Sequence, residues 1–223
     1  DASDVGGAFQ GVFVEETGGL GRIAATGDIV ELRGNNVVFL DDFGTTFSGA
    51  VQIPGSDLAI KANFFDGSPT PAQGVWAGTP STLHPVADSG QGNQAPGFGA
   101  GVAFDFVSEP FYAPNSAVAF SSNLTGTGIT SSNDSTIWSG TAGSSVAAVV
   151  QENSAAPGAE QGAVFDDLLR LGGISSSGQV AFSAGLRNTF PNNSAVYKGE
   201  PGAITLVALK GQNAPDTGDQ FGN

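Results

Sequence analysis

The chain holds one histidine, His84, with Asp88 four residues further on, and it holds no cysteine. An imidazole next to a carboxylate is part of a nucleophilic triad. The rest of that triad needs a serine on a tight strand-to-helix turn, and the Gly-x-Ser-x-Gly that builds such a turn is absent. A turn or surface histidine is the plainer account. Gly97-Phe98-Gly99-Ala100-Gly101 looks like a phosphate loop but lacks its lysine and any following helix, so it reads as a linker. The acidic pairs Glu15-Glu16, Asp41-Asp42 and Asp166-Asp167 could supply two carboxylates for glycoside hydrolysis. Two of these pairs fall at equivalent places of a repeat, which favours a structural or cation-binding role. Asn133-Asp134 offers oxygen ligands for calcium, although the twelve-residue EF-hand pattern is missing. Capping of a turn explains the same two residues. Asn123, Asn133 and Asn192 fit the Asn-x-Ser/Thr sequon, a pattern that a Ser/Thr/Asn-rich chain also generates by chance.

What must position these residues is a set of short apolar runs separated by Gly, Ser, Asn and Thr. Ala117-Val118-Ala119-Phe120, Thr136-Ile137-Trp138 and Val146 to Val150 are strand signals, with no helical period competing. Their order recurs. Val180-Ala181-Phe182 repeats Val118-Ala119-Phe120, and Leu58-Ala59-Ile60 is a weaker copy. Trp76, Trp138, Tyr197 and Phe13 occupy one repeated slot, best explained by core packing and less well by a sugar-stacking platform. Ala95-Pro96, Ala156-Pro157 and Ala214-Pro215 close units, each followed by Gly-x-x-Phe at Phe104, Phe165 and Phe221. The period is about 60 residues, near the range of propellers, solenoids and arrays.

The expected fold is all-β: tandem four-stranded antiparallel units resembling propeller blades within a single repeat domain. A half unit spans 1–28, complete units span 29–96, 97–157 and 158–215, and 216–223 opens a further unit. Alternation predicts buried side chains at Phe104, Phe120, Trp138, Val149, Phe165, Phe182, Tyr197 and Val207.

Composition bounds the function. Seven Lys and Arg against 21 Asp and Glu give a net charge of −14 over 223 residues, which repels phosphate backbones and anionic membranes. Nucleic acid is therefore not an expected partner. The absence of cysteine excludes disulfides and thiolate metal sites. No apolar run approaches the roughly 20 residues of a membrane span. There is no methionine either, even at position 1, so a processed chain is expected, with Asp1 following a removed signal peptide.

Ser175-Ser176-Ser177-Gly178-Gln179-Val180-Ala181-Phe182 resembles the tandem NxxGxxAF repeat of secreted bacterial surface proteins, the choice-of-anchor repeat proteins. Asn133 to Trp138 and the Ala-Pro-Gly closure are similar to the remainder of that repeat. Ser175 stands where the pattern has Asn, and Asn115 lies two residues too close to Phe120. The resemblance implies export and a place on a cell surface or in an extracellular matrix. It implies no chemistry. The expectation is a non-enzymatic structural protein with calcium as the one cofactor candidate. Its partner would be itself, through Phe13, Ile23 and Phe221, or a surface polysaccharide as a lectin-like propeller.

Overall fold

The computed structural model describes residues 11–16, 19–25, 29–32, 35–43, 58–79, 82–167, 169–189, 193–215 and 219–222. Among these the chain is all-β, without a helix. Strands β1 (Gly11–Glu16) and β2 (Gly19–Ala25) form an antiparallel pair. A first five-stranded sheet follows in the order β3 (Ile29–Leu32), β4 (Asn35–Phe43), β5 (Leu58–Phe65), β6 (Ala72–Thr79), β7 (Thr82–Asp88). The second sheet holds β8 (Val102–Val107), β9 (Phe111–Ala113), β10 (Ala117–Gly126), β11 (Ser135–Thr141) and β12 (Ala147–Gln151). The third holds β13 (Val164–Phe165), β14 (Arg170–Ile174), β15 (Val180–Arg187), β16 (Ser194–Glu200) and β17 (Ala203–Leu209).

Five strands stand in each larger sheet where four were expected. The first sheet carries an additional outer strand, β3, and in the other two the difference has a local cause. In the second sheet one edge of β10 pairs first with β9 and then with β8. The residues between them include Pro110, which has no N–H to give to the ladder. Ser108 bridges the interruption: its amide donates to Ser121 O at 2.9 Å and its hydroxyl accepts from Ser121 N at 2.9 Å. The edge is thus one line broken into two short strands. In the third sheet β13 and β14 share the edge of β15 in the same way.

Four hairpins carry an irregularity at one place, between Val12/Phe13, Val75/Trp76, Ile137/Trp138 and Val196/Tyr197. The extra residue on the partner strand bends and twists each hairpin. Just beyond it, Gly78 and Gly199 adopt φ of +143° and +158°. A Cβ there would meet a carbonyl oxygen at 2.2 Å (Thr82) or 2.3 Å (Ala203), so only glycine fits.

The core lies mainly between sheets. Phe104, Phe120 and Trp138 of the second sheet share one cluster with Ala59, Val75, Ala77 and Ala87 of the first. Phe165, Phe182 and Tyr197 of the third share another with Ala119, Ile137, Val149 and Val150 of the second. Each sheet therefore offers an aromatic row to one side and a row of small aliphatic side chains to the other. Seven of the eight expected core residues are buried; Val207 is not, at 54% exposure. It sits at the irregularity of β17, on the face opposite Tyr197, where Ile204 and Leu206 instead pack inward. Val149 has the matching position in β12 and is 7% exposed, because the third sheet covers it. The register is the same; what lies across it differs.

Candidate functional site

A polar cluster lies at the seam of the second and third sheets. Arg187, the last residue of β15, pairs with Glu152 at 3.1 Å and with Asp166 at 3.2 Å. The same guanidinium donates to Ser132 O at 3.3 Å. One side chain thereby ties the β10–β11 turn, the end of β12 and the segment after β13. Glu152 is 2% exposed, and among the described residues its Oε2 accepts no hydrogen bond. Burial pushes its carboxyl above the usual carboxylate range, aided by Asp134 and Asp167. A backbone hydrogen bond from Ser135 and the Arg187 charge pull it back.

Beside this seam runs a groove of about 460 Å³ lined by Ser121, Ser122, Asn123, Ser131, Asp134, Ser135, Asp167, Leu169 and Arg170. Nearly every lining group is a hydroxyl, amide, carboxylate or guanidinium. Such a wall offers donors and acceptors to a hydroxyl-rich ligand but little apolar surface.

The residues singled out from sequence are placed as follows. His84 lies exposed on β7, paired with Ala77 in the ladder, and its ring stands near Gly143, where an added Cβ would come within 3.4 Å of it. Asp88 is buried, and its Oδ1 accepts from Gly90 N at 2.9 Å, a turn cap. Gly97 to Gly101 form turns, with φ of +81° at Gly97 and +82° at Gly101. Asn133 spends its side chain on its own turn, accepting from Thr130 N at 2.7 Å and donating to Gly128 O at 3.1 Å. Asp166 joins the Arg187 cluster, and Asp167 and Asp134 line the groove. Among the described residues no three carboxylate or imidazole groups converge as a metal site would require. Trp76, Trp138 and Tyr197 are 1%, 0% and 0% exposed, so they fill the core and offer no stacking platform. Asn123 is exposed on β10. Asn192 and the side chains of Phe13, Glu15, Glu16, Ile23, Asp41 and Asp42 lie outside the described residues. Phe221 is 37% exposed; its amide donates to Gln212 O and its carbonyl accepts from Gly211 N, both at 2.9 Å.

Arg187, Glu152 and Arg170 were missed by sequence reasoning. The signal of the two arginines was scarcity: with seven Lys and Arg in the chain, each cation among so many carboxylates marks a place where charge is balanced. Nothing set Glu152 apart among the 21 Asp and Glu.

Among the described residues no helix is long and apolar enough to cross a membrane. No curated protein and no solved structure matches the chain. Residues 3–223 match the model of a family of unknown function, DUF7453, and the chain belongs to that family.

Proposed function

We propose that this protein is a non-enzymatic structural element of a cell surface or extracellular matrix, exported and built from tandem propeller-like units of about 60 residues. One observation carries the reading. Ala59, Val75 and Ala87 of the first sheet and Ala119, Ile137 and Val150 of the second hold matching register positions, and each row covers the aromatic row of the next sheet. Stacking of like units buries a continuous core and makes a linear scaffold. The likeness of Ser175 to Phe182 to the NxxGxxAF repeat supports the surface location. Electron microscopy of the purified protein tests the proposal: ordered assemblies are expected. A dispersed monomer at millimolar concentration with selective binding on a glycan array would replace it.

The polar groove favours a second reading, a glycan-binding propeller. Its hydroxyl, amide and carboxylate lining suits sugar hydroxyls, although the buried Trp138 and Tyr197 give it no ring to stack on. Substituting Asn123 and Asp134 by Ala would abolish glycan retention under this reading and leave assembly untouched under the first.

A further inference from the structure

The third sheet repeats the covering face of its predecessors but leaves it open. Ala181 stands where Ala59 and Ala119 stand, and Val196 where Val75 and Ile137 stand. Val75 and Ile137 are both 0% exposed, whereas Val196 is 41% and Val207 54% exposed. Among the described residues, then, nothing seals this row.

The complementary surface is encoded in the same chain. In both internal interfaces the side covering such a row carries Trp138 or Tyr197 directly after the strand irregularity. The pair β1–β2 has the same irregularity, between Val12 and Phe13, so Phe13 holds the register position of those rings. Charge agrees with this match. Lys198 is exposed on the open face, in the place of Ala77 and Ser139. Glu15 and Glu16 follow Phe13 in β1. Lys61 shows how the first sheet uses such a cation: it lies 3.8 Å from Glu109 and 4.6 Å from the centre of the Phe106 ring of the second.

We propose that the open face of β15–β17, marked by Ala181, Val196, Val207 and Lys198, docks the β1–β2 hairpin of a second copy of this chain. The contact continues the internal series of sheet-on-sheet interfaces and rests on the stacking reading given above. It is heterologous, so it propagates head to tail.

The test is sedimentation of the full chain over a concentration series. Val196→Glu with Val207→Glu places charge on exposed positions, so the fold persists, checked by an unchanged β-type circular dichroism spectrum. The concentration needed for assembly should rise about a hundredfold or more. Phe13→Ala should impair the opposite partner surface. Mixed with the Val196→Glu/Val207→Glu chain, it should give a one-to-one dimer that extends no further, since each retains one intact half. Wild type that assembles equally well with the double substitution overturns this interface while leaving the structural role standing. Wild type that stays monomeric at millimolar concentration overturns both.

Discussion

In the second sheet the indole of Trp138 lies parallel to Phe120 at 6.3 Å and meets Phe104 edge-on at 5.0 Å. In the third, the phenol of Tyr197 lies against Phe182 at 5.5 Å and meets Phe165 edge-on at 4.9 Å. The two trios match in geometry and differ in one polar atom. Trp138 Nε1 donates to Ser122 Oγ at 2.8 Å, whereas the buried Tyr197 hydroxyl has no partner among the described residues. Ala184 holds in β15 the place that Ser122 holds in β10, so the acceptor is lost there. Burial without a partner pushes the Tyr197 hydroxyl above its ordinary pKa. Ring packing is therefore what the two sheets share, and hydrogen bonding adjusts to the ring that is present.

The largest break of this comparison is truncation of a ring. Trp138→Ala should cost roughly 3–5 kcal/mol, because the indole packs against the rings of Phe98, Phe104 and Phe120 and the cavity closes only in part. Chemical denaturation measures it, and a loss below about 1 kcal/mol would remove Trp138 from the core. Next comes Ser122→Ala, expected to cost about 1–3 kcal/mol by stranding the indole N–H. The reciprocal Tyr197→Phe removes an unpaired hydroxyl from the equivalent place. It should be neutral or stabilising by up to about 1 kcal/mol, opposite in sign to the serine substitution. A clear loss in Tyr197→Phe would mean that the hydroxyl has a partner.

The smallest effect sharpens the comparison at the seam, through Glu152→Gln. Glu152 binds its proton more readily folded than unfolded, so the ionised form costs stability that appears as pH rises from the ordinary carboxylate range through the raised folded value. Gln does not titrate. The melting temperature of Glu152→Gln relative to wild type should therefore be higher at pH 7 than at pH 4. A difference independent of pH would show that Arg187 fully offsets the burial.

Much of the fold was legible because the strands are short, apolar and bounded by turn formers. Phe104, Phe120, Phe165 and Phe182 were placed on a core face by alternation, since a period of two fixes which residues share a face. Ala117 to Phe120 nevertheless proved buried on both faces. Val207 failed the same logic for a reason alternation cannot express. The pattern assigns it to a face but says nothing of whether another sheet lies against that face. The groove and the Arg187 cluster were illegible for a related reason. Ser132, Glu152, Asp166 and Arg187 come from four separate segments and meet only where two sheets adjoin.

By itself, then, the sequence determined the strand class, the in-and-out pattern of each run and the slot that receives Trp76, Trp138 or Tyr197. These follow from local backbone geometry and the cost of exposing large rings. Tertiary structure decided which faces are covered, split the outer strand at Pro110 and brought Arg187 to Glu152. Those outcomes depend on contacts between residues distant along the chain, where the gain from burying one surface depends on the surface set against it.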